Sequence, residues 1–117
     1  MATSARRRLP AVKCYALAEM DITDPSWVQE YVEHVTPLVE ARGGRFLART
    51  PNAEKLEGER EQSQVYLLIE WPSREAAVEF YESDQYRPHL EARVAGARNQ
   101  LVLVAGEDIM GLASMQD

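Results

Sequence analysis

The sequence has very little cysteine, and this scarcity limits the classes of protein it can belong to. Cys14 is the single cysteine among 117 residues, so no disulfide can form within the chain and no zinc site built on thiolates is expected. A lone thiol suits a reducing compartment, which predicts a cytoplasmic protein. Neither a metal nor a cofactor is expected from the sequence.

Long apolar runs and an excess of positive charge are also missing. No stretch approaches the roughly 18 consecutive apolar residues of a membrane span, and the opening residues lack the apolar core of a secretory signal. Lysine and arginine number 13 against 19 acidic residues, which gives a net charge of −6. Such a surface repels phosphate backbones. The sequence therefore predicts no nucleic-acid partner and no membrane partner.

The composition that is present suits one folded domain. Hydrophobic residues make up 45% of the chain and charged residues 27%, which is ordinary for a globular protein, and the length supports one core. We expect residues 12–107 to form this domain between a flexible N-terminal tail, 1–11, and a C-terminal tail, 108–117. For the arginine-containing N-terminal segment, a targeting peptide is the alternative to a tail.

Hydrophobic periodicity predicts the order strand, helix, strand, strand, helix, strand. Strands are expected at 13–21, 45–50, 64–71 and 100–105, and helices between the first two and the last two of them. Asp24 and Ser73 are placed to cap the two helical regions, and a break near Ser83 is expected in the second. Right-handed crossovers then put the helices on one face of a four-stranded antiparallel sheet. This is the α+β, ferredoxin-like βαββαβ fold.

The other face of this sheet has no helix to cover it, although it carries large side chains. Tyr15 and Leu17 from the first strand and Tyr66 and Leu68 from the third are expected there. Burying such a patch, on the order of several hundred Å², against a copy of itself gives several kcal/mol at about 25 cal/mol per Å² before association entropy is subtracted. The sequence therefore predicts a homodimer with two sheets face to face.

Several short motifs in the same order resemble the domain of unknown function 1330 family. They are Asp24-Pro25 with Tyr31, Gly43-Gly44-Arg45-Phe46-Leu47, Leu56-Glu57-Gly58-Glu59, Ile69-Glu70-Trp71-Pro72-Ser73, then Tyr81, Ser83, Tyr86 and Arg93, and residues 101–106. The resemblance spans about residues 12 to 107 and implies a dimeric α+β barrel. Members of that superfamily include cofactor-independent monooxygenases, isomerases and haem-using relatives, whereas the family itself is uncharacterised.

The first candidate site is a ring of four polar side chains on the uncovered face. In neighbouring antiparallel strands, Tyr15 is expected opposite Glu70 and Glu19 opposite Tyr66. Burial inside a dimer would raise the pKa of these carboxyls, and a carboxylate of raised pKa can act as the general base of cofactor-free proton transfer. The alternative is that the four residues only hydrogen-bond across an interface.

The second candidate site is a substrate-binding group of mixed residue types. Its members are Tyr31, His34, Arg49, Tyr86 and Arg93. Arginine binds carboxylates in a bidentate manner, and tyrosine offers an apolar wall with a polar tip, so a small acidic or aromatic metabolite would suit this group. His34 is a candidate acid–base group, because histidine is a common proton donor and acceptor in proteins; the alternative is an exposed surface residue of the helix. For Arg93 the alternative is an ion pair with Glu57 and Glu59 in the charged loop 51–63.

Two classes of function stay open at this point. One is an enzyme that acts on a small molecule without a cofactor, which predicts a closed pocket holding Glu19 or Glu70 with a strongly shifted pKa. The other is a non-catalytic module that senses a metabolite or serves as an interaction scaffold. A pure scaffold predicts a filled, dry barrel. Fold alone does not choose between them.

Overall fold

Residues 12–111 are described in the computed structural model, and within them the predicted order of elements is confirmed. The elements are β1 Cys14–Ile22, a 3₁₀ turn Pro25–Trp27, α1 Val28–Ala41, β2 Arg45–Thr50, β3 Val65–Trp71, α2 Arg74–Glu82, α3 Arg87–Gly96 and β4 Ala97–Ala105. The expected tail 1–11 and residues 112–117 of the expected C-terminal tail lie outside the described residues. Residues 109–111 form a helical turn.

The four strands form one antiparallel sheet in the order β2-β3-β1-β4. Tyr15 pairs with Glu70 and Glu19 with Tyr66, as the strand alternation predicts. The predicted start of the last strand at residue 100 is wrong, because β4 stays in register with β1 back to Ala97. Its polar first residues can pair because β4 is an edge strand with an exposed side.

Local hydrogen bonds set the ends of the helices. The Asp24 carboxylate accepts the Ser26 N–H at 3.0 Å, and the Ser73 hydroxyl accepts the Ala76 N–H at 3.1 Å. Gly43, with φ of 88°, closes α1 in the left-handed conformation that glycine tolerates. Each helix among the described residues falls short of the length and hydrophobicity that a bilayer crossing requires.

The core lies between the helices and one face of the sheet. The core-facing side chains of β1 are mostly small, among them Ala16 and Ala18. Those of β3 are larger and include Ile69 and Trp71, of which Trp71 is 2% exposed. The Trp71 ring packs against Phe80 of α2 with centroids 5.4 Å apart, and Val39 of α1 is also fully buried beside them. The largest fully buried side chains therefore cluster at the β3 side of the sheet.

The opposite face of the sheet has no helix over it in the described part of the chain. Its large apolar side chains remain accessible, with Leu17 42% exposed on β1. The edge strand β4 continues this surface through Val102 and Val104, which are 51% and 42% exposed. We call this surface the open face; it comprises Tyr15, Leu17, Glu19, Tyr66, Leu68, Glu70, Val102 and Val104.

Gly96 joins the end of α3 to the start of the first helical region. Its carbonyl accepts the Thr23 N–H at 2.9 Å, the Asp24 N–H at 3.0 Å and the Trp27 indole N–H at 3.2 Å. A Cβ at this position would lie 2.3 Å from two atoms of the Trp27 ring. The indole therefore packs directly on the α3 backbone, and only glycine permits this approach.

We expect Gly96→Ala to lower the free energy of unfolding by about 1–3 kcal/mol, because the new methyl overpacks the junction with Trp27. Urea denaturation followed by circular dichroism measures this change. Ala95→Ser, at the exposed neighbouring position, is the control and is expected to stay within roughly 0.5 kcal/mol of the wild type. Unchanged stability of Gly96→Ala would contradict the close packing of Trp27.

Candidate functional site

A cavity of about 580 Å³ lies between the sheet and the helices. It exists because the central strand β1 places Ala16 and Ala18 under the helix layer, where larger side chains would fill the space. Leu67 of β3 and Val35 of α1 are among the apolar residues that line it. The volume falls in the range of about 300–1,000 Å³ that is usual for small-molecule sites.

Three polar residues meet at one wall of this cavity. The hydroxyl oxygens of Tyr31 and Tyr86 are 2.6 Å apart, and an Arg93 Nη donates to the Tyr86 hydroxyl at 3.2 Å. Tyr86 is the residue just before α3, and Arg93 lies within α3, seven positions after Tyr86. Because seven residues are about two helical turns, both side chains lie on the same face of the helix. All three residues line the cavity. We call them the polar cluster.

The polar cluster holds a buried positive charge. Arg93 is 5% exposed, and no ion pair among residues 12–111 involves it. Burial alone lowers the pKa of Arg93, but Tyr86 and Tyr31 outweigh it and raise the pKa, so the guanidinium stays charged. The alternative pairing of Arg93 with Glu57 and Glu59 is wrong, because α3 turns this side chain inward, away from loop 51–63.

The phenol of Tyr31 stays protonated at neutral pH. Its removal from water raises its pKa, and the neighbouring Tyr86 shifts it further in the same direction. A protonated phenol can donate one hydrogen bond and accept others. At neutral pH the polar cluster therefore places the guanidinium cation of Arg93 near the neutral hydroxyl of Tyr31.

The other two predicted binding residues take different positions. Arg49 lines the same cavity, but its guanidinium donates to the Thr36 hydroxyl at 2.7 Å and lies 3.8 Å from the centre of the Phe46 ring. His34 does not line the cavity; its Nδ1 lies 2.9 Å from the Glu30 carbonyl oxygen, and its ring stacks on His89 at 5.6 Å. No cluster of His, Cys, Asp or Glu suitable for a metal occurs within residues 12–111.

Trp27 is a cavity residue that the sequence reasoning did not select. Its ring meets Tyr31 edge-on with centroids 5.2 Å apart, and both line the cavity. A signal was available, because Trp27 stands four positions before Tyr31, close behind the Asp24-Pro25 cap, and such spacing places two side chains on one face of a helix. Phe80 adds a further aromatic contact, with its ring centroid 4.3 Å from that of Tyr86.

The first predicted site lies on the open face, away from the cavity. The Tyr15 hydroxyl donates to a Glu70 oxygen at 3.0 Å, and Lys13 and Arg45 approach the same carboxylate at 3.5 and 3.6 Å. The Tyr15 hydrogen bond lowers the pKa of Glu70, with the two positive charges adding to it against partial burial. In the single chain the pKa of Glu70 is thus lowered, and the rise expected on burial inside a dimer stays a prediction.

The other pair of this site is bridged by loop 51–63. An Arg60 Nη donates to both oxygens of Glu19, at 3.2 and 3.0 Å. Ser63 connects the pair, since its hydroxyl donates to Glu19 at 3.2 Å and its N–H donates to the Tyr66 hydroxyl at 3.1 Å. Neither Glu19 nor Glu70 lines the cavity. A catalytic role for Tyr15, Glu19, Tyr66 and Glu70 stays a prediction.

Comparison with known proteins supports the fold. The family model described as Domain of unknown function (DUF1330) matches residues 13–107. A protein of unknown function from Rhodopseudomonas palustris is 18% identical, with a TM-score of 0.71 over 92% of this chain and 91% of that one. No match to a curated protein was found.

Two further solved structures share the architecture. SnoaB, a cofactor-independent oxygenase from Streptomyces nogalater, is 17% identical with a TM-score of 0.58 over 84% of this chain and 96% of that one. A hypothetical protein from Arabidopsis thaliana is 13% identical with a TM-score of 0.55 over 86% and 91% of the two chains. At such identities the likeness concerns the fold alone. It confirms the prediction of a ferredoxin-like α+β fold.

We expect Tyr15→Phe to destabilise the protein at neutral pH and to lose this effect in acid. The pKa of Glu70 lies below its ordinary value of 4.5 in the folded state, so ionised Glu70 stabilises the fold above that value. This stabilisation disappears as the pH falls through the folded-state pKa. Urea midpoints of the wild type and Tyr15→Phe, measured from neutral pH into acid, should converge.

The matched control is the same substitution in a Glu70→Gln background. Without a titrating carboxyl at this position, Tyr15→Phe should change the urea midpoint by the same amount at every pH. A difference between wild type and Tyr15→Phe that persists undiminished in acid would show that the Tyr15 hydroxyl does not act through Glu70.

Proposed function

The chain belongs to the DUF1330 family, and we propose that it binds a small acidic or aromatic metabolite in the cavity between its sheet and its helices. The observation that carries this proposal is Arg93, a buried guanidinium that lies at the wall of an apolar cavity and has no acidic partner within residues 12–111. An unpaired buried charge costs several kcal/mol. A ligand that brings a negative charge to Arg93 would therefore offset this cost and stabilise the folded state.

The surroundings of the polar cluster suit an aromatic or otherwise apolar ligand body. Trp27, Phe46 and Phe80 line the cavity together with aliphatic side chains. Aromatic rings favour edge-to-face and offset contacts with other rings. A few polar groups in an otherwise apolar pocket fix the orientation of a ligand and supply its specificity.

A homodimer formed through the open face is the second part of the proposal. Leu17, Val102 and Val104 expose apolar surface there, next to the hydrogen-bonded Tyr15–Glu70 pair. A contiguous apolar surface of this kind is typical of an interaction site. A two-fold axis would bring the same patch from both subunits together. A cytoplasmic location remains the expectation from the single cysteine.

Cofactor-independent catalysis is the enzymatic form of the proposal. It is supported by the fold shared with SnoaB, which is described as a cofactor-independent oxygenase, and by the polar cluster, whose charge and phenols can stabilise a substrate anion. The alternative is a ligand sensor or interaction scaffold without turnover. Chemical conversion of any ligand found for the cavity distinguishes these two forms, and oxygen uptake during that conversion identifies an oxygenase.

We expect a metabolite library to contain compounds that raise the melting temperature of the wild type in a thermal-shift screen. A ligand at 100 times its dissociation constant stabilises the folded state by about 2.7 kcal/mol. Ala18→Leu should remove the shift because its longer side chain occupies the cavity, and Arg93→Ala should weaken it. Glu70→Gln should retain it, since Glu70 lies on the other face of the sheet.

Ala41→Leu, an equal enlargement at an exposed position of α1, is the control for the cavity variant and should leave the thermal shift intact. If no compound stabilises the wild type, the binding proposal loses its support. If Ala18→Leu and Ala41→Leu respond alike to a stabilising compound, the cavity is not the binding site.

We expect the wild type to be dimeric by size-exclusion chromatography with light scattering, and Leu17→Lys to be monomeric. A lysine in the middle of the open face would place an unpaired charge in the interface. Val94→Lys adds the same charge at an exposed site on α3, where Val94 is 59% exposed, and should remain dimeric. A monomeric wild type would contradict the proposed dimer.

A further inference from the structure

The polar cluster has more hydrogen-bond donors than acceptors. Tyr31 and Tyr86 share one hydrogen bond, which uses the proton of one phenol and leaves the other O–H without a partner among residues 12–111. Arg93 carries five N–H groups and no acceptor; within those residues it donates to Tyr86 at 3.2 Å and also interacts with the Tyr31 hydroxyl, which leaves further N–H groups of the guanidinium free. Whichever phenol donates to the other, free donors remain at the wall of the cavity.

The charges around the cavity have the opposite sign to the protein as a whole. Among the described residues, 12–111, its lining includes the three arginines Arg49, Arg74 and Arg93 and a single acidic residue, Glu82, whereas the chain carries a net charge of −6. Glu82 is exposed at the end of α2 and makes no ion pair with Arg93. A concave, low-dielectric site lined by one sign of charge concentrates ligands of the opposite sign.

We propose that the cavity selects a monocarboxylate with an aromatic body, one carboxylate oxygen accepting from Arg93 and the other from the free phenol of the Tyr31–Tyr86 pair. This inference rests on the proposed function and names the ligand class of the same site. A carboxylate offers acceptors only, so it matches a wall that offers donors only. An ammonium group fails on both counts, because it brings further donors and a like charge.

Arg49 is not the partner of the carboxylate, although it lines the same cavity. Its guanidinium already donates to Thr36 and lies over the Phe46 ring. It is also exposed to water, where a charge pair contributes little. Arg93 is buried, and a hydrogen-bonded charge pair is stronger where water is excluded.

Three naphthalene derivatives with different head groups test this inference. Naphthoate, naphthalenemethanol and naphthylmethylammonium share one apolar body, so titration calorimetry at neutral pH isolates the contribution of the head group. We expect naphthoate to bind about tenfold or more tightly than the alcohol, which corresponds to about 1.4 kcal/mol, and the ammonium compound to bind more weakly than the alcohol.

Variants of the polar cluster assign this preference to named atoms. Arg93→Gln should abolish the preference for naphthoate over the alcohol while leaving the affinity for the alcohol within a few-fold. Tyr86→Phe should reduce the preference in part and serves as the test if Arg93→Gln does not fold. Arg49→Gln is the matched control at a second cavity arginine and should retain the preference.

The outcomes separate this inference from the proposed function. Equal binding of the three probes, or a preference for naphthoate that survives both Arg93→Gln and Tyr86→Phe, overturns the carboxylate assignment and leaves cavity binding standing. Binding by none of the probes, with no stabilising compound in the thermal-shift screen, overturns both. Loss of the preference in Arg49→Gln alone would move the carboxylate to Arg49 and also overturn the assignment.

Discussion

Strand β1 occupies the centre of the sheet, paired with β3 on one side and β4 on the other, and its side chains alternate between small and large. Successive residues of a strand point to opposite faces. Ala16 and Ala18 therefore meet the helices, while Tyr15, Leu17 and Glu19 meet the open face. The small side chains leave the cavity under the helices, and the large ones supply the surface available for a second copy.

The helix layer does not collapse onto this space because large rings support it from both sides. Trp71 and Phe80 are buried at the β3 side, and Trp27 packs on the backbone of Gly96 at the other end. Collapse of the helices onto this space would require these rings to leave their packed positions, which a close-packed interior opposes. The cavity therefore depends on the positions of these aromatic residues as well as on the small side chains of Ala16 and Ala18.

Much of this arrangement could be predicted from the sequence, because the alternation of side chains along a strand can be read directly from neighbouring residues. Alternation along two strands was enough to place Tyr15 opposite Glu70 and to assign the open face. In the single chain the Tyr15 hydrogen bond lowers the pKa of Glu70 most, and Lys13 and Arg45, which the alternation does not place, lower it further. Both reach the carboxylate only through the register of β1 and of β2, whose pairing with β3 contains an irregularity after Phe46.

The cavity and its charge could not be predicted in the same way. The spacing of Tyr86 and Arg93 predicts that they share one face of a helix. The spacing does not predict that this face points into the cavity or that it contacts Tyr31 of another helix. The same limit applies to His34, which is on the same helix as Tyr31 and yet stacks on His89 outside the cavity. Contacts between helices depend on crossing geometry, which side-chain volumes across the whole layer determine.

The two faces of the sheet share the backbone of its strands, and the central strand β1 contributes side chains to both. Ala18 lies in the cavity, while its neighbours Leu17 and Glu19 lie on the open face, so a slip of one residue in the β1 register would exchange the two surfaces. Hydrogen bonds along both sides of β1 oppose such a slip. Side-chain changes on one face therefore leave the other largely intact. The proposed self-association and the proposed ligand binding can accordingly be tested by separate substitutions.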